Sequence, residues 1–407
     1  MLIEEATLAR DATLSEANVG RLRVTDFDFQ GAKTGYLTHG LHPYPAKYIP
    51  QIPATLIREL SEPGDTVADI FCGSGTTLVE ALLLGRNAVG FDANPLACLI
   101  SEAKTGRVSS ADLRSLSSLS LRAKAQGRSL AARTSFSLEN GDFRSHSWRP
   151  DEESLTFWFE QQVIEELAEL REWCLAVESA EARALALVAF SSIIVAVSKQ
   201  DSDTRYVRRD KHLSPGDTML RFAKSLHAAC SAASDFSEQI RHDVRRHIVC
   251  ANLLNSPPSP ALDLMVCSPP YPNAYSYHLY HRTRMLWLNM NQPLFKKDEI
   301  GSHRKYSSKA KDGATSETFR SEFRTILMWL GLSLKQGGYA CFVIGDSTIR
   351  GERISNTDLI ADVGRQCGFT ESVRLSRLLC STKKSFNPVI GTIRQEHILV
   401  LKNESRR

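Results

Sequence analysis

A chain of 407 residues, 42% hydrophobic and 24% charged, has the composition of a globular protein with room for one large core or two ordinary ones. Its net charge of +4 does not identify a partner, although basic clusters at 206–212, 241–247 and 295–311 would suit phosphates better than the average does. No apolar run approaches the ~20 residues that span a bilayer, and the first residues lack a secretory signal pattern, so no membrane partner and a cytoplasmic location are expected. Nine cysteines without a C-x-x-C pair speak against a zinc site or a disulfide framework.

Taken in chain order, residues 42–65 form a proline-punctuated loop followed by a short helix through "ATLIREL". Residues 66–71 read as an apolar strand, a glycine turn follows, and a helix over about 76–85 leads to a second strand at 87–92. This is a β-α-β unit, which builds parallel sheets through right-handed crossovers. From 105 to about 245 the pattern changes to apolar positions at helical spacing, an expected helical insert. Strands return at 247–250, 262–267 and 337–347, then a helix ending at Gly368 and a last strand at 397–402. The expected fold is a doubly wound α/β domain with a mostly parallel sheet. It divides as 1–104 (first part of the catalytic domain), 105–245 (insert) and 246–407 (second part).

The turn "DIFCGSGTT" places Gly73 and Gly75 where a strand hands over to a helix. Glycine lets the backbone approach a ligand closely, and the helix N-terminus beyond offers free N–H groups. Asp92 ends the second strand, where a carboxylate can hold both hydroxyls of a ribose. A plain tight turn is the competing reading, but the acidic residue favours a nucleoside-containing cofactor. No G-x-x-x-x-G-K-[ST] run is present, which excludes a P-loop.

The second feature is "ALDLMVCSPPYPNAYSY" at 261–277. Two consecutive prolines stop the strand, fix φ near −65° and remove two donors while leaving the carbonyls. The result is a stiff set of acceptors, with the Ser268 hydroxyl before it and the Tyr271 ring after it.

Together "FCGSGTT" and "CSPPY" resemble the S-adenosylmethionine-dependent DNA amino-methyltransferases, which act on cytosine N4 or adenine N6, and most closely the cytosine-N4 members. That resemblance implies a Rossmann-like methyltransferase fold with S-adenosyl-L-methionine as cofactor and no metal. It implies a cofactor site made from Lys47, Tyr48, Asp69, Phe71, Cys72, Gly73, Ser74, Gly75, Thr76, Thr77, Asp92, Asn94 and Asn252. Lys47 and Tyr48 come from "HPYPAKYIPQ" (42–51), which is similar to the family segment that closes over the cofactor. Asn252 stands where relatives often carry an aspartate, and it can still accept from the cofactor's adenine amine.

The same resemblance makes Ser268, Pro269, Pro270 and Tyr271 the catalytic turn. Ser268 Oγ and the Pro269 carbonyl would accept the two N–H bonds of the base amine and localise its lone pair for in-line attack. Tyr271 would stack on a base flipped from duplex DNA. Serine in the first position is associated mainly with cytosine N4. Methylation at ring carbon five needs a Pro-Cys nucleophile, and none is present.

The expected partners are double-stranded DNA with a flipped base and a cognate restriction endonuclease, which adds a nucleoid association to the cytoplasmic location. An adenine-N6 enzyme, an RNA base methyltransferase and an inactive DNA-recognition protein are the alternatives. Target recognition falls to the insert and the 289–315 loop. Within these regions, 199–212 is either a salt-bridged surface or a recognition element. The stretch with Tyr275, Tyr277, Tyr280, His281, Arg282 and Arg284 either meets nucleic acid or packs as a helix, and Phe386 is expected to line the base pocket.

Overall fold

A computed structural model describes residues 17–132, 147–379 and 395–405, apart from short breaks at 152, 154, 204, 256–259, 273–274 and 308–312. The expected role of Phe386 therefore lies outside the described residues.

The frame is a seven-stranded sheet. Its strands are β1 (Thr66–Asp69), β2 (Asn87–Asp92), β3 (Arg246–Cys250), β4 (Leu262–Cys267), β5 (Leu334–Gly345), β6 (Phe369–Leu378) and β7 (Gln395–Asn403). Their spatial order is β6-β7-β5-β4-β1-β2-β3. All pairs from β3 to β5 are parallel, while β7 runs antiparallel to both β5 and β6. The strand order reverses between β1 and β4, and a ligand cleft of a doubly wound sheet opens at such a switch point. This is the Rossmann-like methyltransferase fold that the two motifs imply.

Helices α1 (Gln51–Leu60), α2 (Thr76–Leu83), α3 (Pro95–Thr105), α4 (Ser110–Ala131), α5 (Gln161–Leu175), α6 (Ala180–Val197), α7 (Asp217–Gln239), α8 (Ser316–Ser333) and α9 (Asn356–Gln366) surround it. Strand alternation divides the core into two faces. Ala340, Phe342 and Ile344 of β5 pack with Phe319, Phe323 and Ile326 of α8. Cys341 and Val343 point the other way, into a cluster with Leu56 of α1 and Leu78 of α2.

Between β2 and β3 the chain runs through α4, α5, α6 and α7, which share an apolar cluster with α3 and Trp287. Residue α6 explains the apolar run in this region: its length and composition would suit a bilayer, but Leu185, Ala186, Phe190 and Ile194 are fully buried in that cluster. A carboxylate anchors the layer. Glu166 on α5 accepts from Gly216 N at 2.7 Å and Met219 N at 3.0 Å, satisfying the open N-terminus of α7, and burial pushes its pKa up to about 7. A two-stranded hairpin, Gln200–Ser202 with Arg205–Arg208, projects between α6 and α7.

Candidate active site

The glycine turn is held by its own backbone. Gly75 N donates to Cys72 O at 2.7 Å, with φ +49° at Gly73 and +75° at Gly75. A Cβ on Gly75 would lie 2.9 Å from Ser101 Oγ on α3, so both conformation and space demand glycine. Asp92 then ties the turn to β2. Its Oδ2 accepts from Gly73 N at 2.9 Å and its Oδ1 from Asn94 N at 2.8 Å. Burial raises the Asp92 pKa to about 6, against the lowering effect of these two bonds. Asn94 in turn caps α3 by accepting from Leu96 N at 3.0 Å.

Beneath the turn, Asp69 Oδ1 accepts from Phe71 N at 3.0 Å, and its Oδ2 accepts from Thr77 Oγ1 at 2.5 Å. The bond to Phe71 ends β1 at Asp69, two residues earlier than the apolar run predicts. Tyr48 meets the same Thr77 hydroxyl, which ties the 42–51 loop to the glycine turn. Burial pushes Asp69 up to about 7.

The 42–51 loop also reaches the helical layer, because His42 Nε2 lies 3.0 Å from Ser191 Oγ on α6. The Tyr44 ring stacks on Tyr277 with centroids 5.9 Å apart. Lys47 Nζ donates to His39 O at 2.9 Å.

These parts line one cavity at the carboxyl ends of β4, β1, β2 and β3. Lys47, Tyr48, Phe71, Cys72, Gly73, Ser74, Thr76, Asp92, Asn94, Asn252, Ser268 and Pro270 line it. Asp69, Gly75, Thr77, Pro269 and Tyr271 stand outside the lining, and the first three support the turn from behind. Tyr271 turns toward the sheet, where its hydroxyl donates to Glu396 Oε1 at 2.8 Å.

Two acidic cavity residues escaped the sequence reading. Asp298 and Glu299 enter from the 292–303 segment, inside a run of lysines that disguises them. Glu299 accepts from Tyr277 N at 2.5 Å and from His278 Nδ1 at 2.5 Å, which stitches this segment over the Ser-Pro-Pro-Tyr strand. His303 N adds a bond to Tyr275 O at 2.8 Å. The aromatic and basic stretch beyond the turn is largely packing: Arg284 and Trp287 are fully buried, and Arg284 pairs with Asp203 in the hairpin turn.

The DNA methylase family pattern matches residues 24–103, the segment that holds the 42–51 loop, the glycine turn and Asp92. The chain is 46% identical over 66 residues to the type II methyltransferase M.MjaII of Methanocaldococcus jannaschii, covering 16% of this chain and 12% of that protein. It is 32% identical over 140 residues to the type II methyltransferase M.MvaI of Kocuria varians, covering 33% and 29%. Residues 24–103 of the chain thus carry the DNA methylase pattern, and the segment around them is similar to type II methyltransferases.

Among solved structures, TrmN from Thermus thermophilus superposes over 88% of the chain and 49% of its own, at a TM-score of 0.32 and 11% identity. The modification methylase TTHA0409 of Thermus thermophilus, complexed with S-adenosyl-L-methionine, covers 38% and 50% at a TM-score of 0.22 and 18% identity. The chain spans less than a third of the length of the two type II relatives, and the family pattern stops before Ser268.

Proposed function

We propose that the chain transfers a methyl group from S-adenosyl-L-methionine to an exocyclic base amine in duplex DNA, with cytosine N4 as the acceptor. One observation carries this reading: the acceptor turn at Ser268 and Pro270 lines the same cavity as Asp92 and the glycine turn.

The lining fits the cofactor. Asp92 lines the cavity at the end of β2 and suits a ribose diol. Ser74 Oγ is buried at the cavity without a partner among the described residues, so it has a hydrogen bond left for the methionine end. When bound, the cofactor supplies an electrophilic methyl group.

The chain's own task is to prepare the amine. Tyr271 donates to Glu396 behind the turn and so ties it to β7. Ser268 Oγ lines the cavity, where a hydroxyl oxygen can accept from the amine. With the Pro269 carbonyl it would draw on the two amine hydrogens and localise the nitrogen lone pair, and the rigid prolines hold both acceptors without reorganisation.

The hairpin supports DNA as the partner. Its turn is fastened to the segment after Tyr271 through Arg284 and Asp203, and Thr283 Oγ1 donates to Gln200 Oε1 at 3.1 Å. It presents Arg205, Arg208 and the exposed Val207, and a two-stranded ribbon fits the major groove. The type II names of the relatives favour a cognate restriction endonuclease and a cytoplasmic, nucleoid-associated setting.

The test is incubation with labelled cofactor and duplex DNA, then mass spectrometry of the nucleosides. N4-methylcytosine is expected. N6-methyladenine alone would replace the base, and label confined to RNA would overturn the DNA reading.

A further inference from the structure

We infer that Asp298, held in place by Asn252, is the carboxylate that reads the exocyclic amine of the cofactor's adenine. This rests on the reading that the cavity holds S-adenosyl-L-methionine.

Sheet order sets the direction of the ligand. At the cavity the strands stand as β4-β1-β2-β3. The reacting end belongs at β4, beside Ser268, and the ribose belongs at β2, beside Asp92. The base must therefore lie past the end of β3, against Ala251, Asn252 and Leu253. Phe295 and Ile300, both nearly buried, close this slot from the 292–303 segment. An apolar slot suits the faces of a purine, and the amine at its edge needs an acceptor.

Asn252 is already committed. Its Oδ1 accepts from Leu254 N at 2.9 Å, and its Nδ2 donates to Asp298 Oδ1 at 3.0 Å. The other carboxylates of the cavity are held elsewhere: Asp92 at the end of β2 by Gly73 and Asn94, and Glu299 by Tyr277 and His278. Asp298 differs. Asn252 fills Oδ1 only, and among the described residues neither a donor to Oδ2 nor a cation pairs with it. The residue at the end of β3 is thus a positioning residue, and the acceptor comes from a segment 46 positions away in the chain. The missing aspartate at position 252 has been replaced in space by a carboxylate from elsewhere.

Isothermal titration of the full chain with two ligands tests this. One is S-adenosylhomocysteine; the other is its analogue whose purine lacks the exocyclic amine. Wild type should prefer the amine-bearing ligand by on the order of tenfold, the value of one hydrogen bond to a charged group. Asp298→Ala should bind both alike. Asn252→Ala should narrow the preference without abolishing it. Asp298→Asn, which keeps the shape, guards against a fold defect: its melting temperature should match wild type while the preference shrinks. A wild-type preference that survives in Asp298→Ala overturns the inference. Wild type that binds both ligands equally overturns it while leaving the methyltransferase reading intact. Wild type that binds neither ligand overturns that reading and this one together.

Discussion

The Tyr271 hydroxyl donates to Glu396 Oε1 at 2.8 Å, joining the Ser-Pro-Pro-Tyr turn to β7 across 125 positions of sequence. Arg377 on β6 holds the same carboxylate at 3.3 Å. Burial first, and then the Glu396 charge, raise the Tyr271 pKa well above that of a free phenol, so this side chain acts as a donor throughout the physiological range. Tyr271→Phe keeps the ring but cuts the tie between the turn and β7. Turnover should fall ten- to a hundredfold, roughly one to two lost hydrogen bonds to charged groups, with S-adenosylhomocysteine affinity unchanged. Single-turnover rates and titration calorimetry separate the two, and a full rate in the phenylalanine variant would leave Tyr271 only its ring.

Ser268→Ala removes the acceptor itself. Cofactor affinity should stay within about twofold, while turnover drops by about a hundredfold or more, the cost of one preorganised group. Unchanged turnover would take Ser268 out of the chemistry.

The sequence was most readable where one short segment makes its own structure. The β1-turn-α2-β2 unit lies within 27 positions, from Thr66 to Asp92, and each of its signals is local: an apolar run, two glycines, a strand-ending acid. What required long-range pairing was hidden. Strand β6 carries Glu371, Arg374 and Arg377, and a register shift between Glu371 and Val373 breaks its alternation, so no period of two survives. Asp298 and Glu299 belong to the cavity only because the 292–303 segment folds back over Tyr277. For Asn252, the sequence suggests an acceptor for the cofactor's adenine amine, but its partner Asp298 comes into view only where β3 and that segment meet.

Asp92 predicts opposite pH trends for the empty and the loaded protein. Its folded pKa is raised to about 6, mainly by burial. A raised carboxyl pKa contributes stability when protonated, so this contribution is present at low pH and is lost as pH rises through about 6. Asp69, raised to about 7 by burial, acts in the same sense. The melting temperature of the unliganded chain should therefore fall between pH 5 and pH 8. Holding a ribose diol needs the ionised carboxylate, so S-adenosylhomocysteine affinity should rise over pH 5 to 7 and then level off. Asp92→Asn should flatten the affinity profile, and a wild-type profile that is already flat would remove Asp92 from the ribose site.

Gly75→Ala is expected to be costly for two reasons. The φ of +75° is strained for alanine by ~1–2 kcal/mol, and the new Cβ meets Ser101 Oγ at 2.9 Å. Thermal melting should drop by several degrees and cofactor affinity should fall with it. Adding Ser101→Gly relieves the contact but not the dihedral, so it should restore only part of the loss. Complete restoration would mean that crowding alone selects glycine here.

The hairpin offers a test of DNA contact that spares the chemistry. Arg209 is paired with Asp201 at 3.4 Å and Arg208 with Asp210 at 3.7 Å, and the two arginines have side chains 73% and 45% exposed. Pairs this exposed contribute little to folding, so their cations can exchange a carboxylate for a phosphate at small cost. The Arg208 guanidinium also sits 5.0 Å over the Phe157 ring, which steadies it at the surface. In the double variant Arg208→Ala, Arg209→Ala, duplex affinity should weaken about uniformly across sequences, and the slope of log K against log salt should become shallower by about two. Melting temperature and S-adenosylhomocysteine affinity should not change, because neither arginine touches the cavity. An unaltered salt slope would move the DNA-binding surface away from this ribbon.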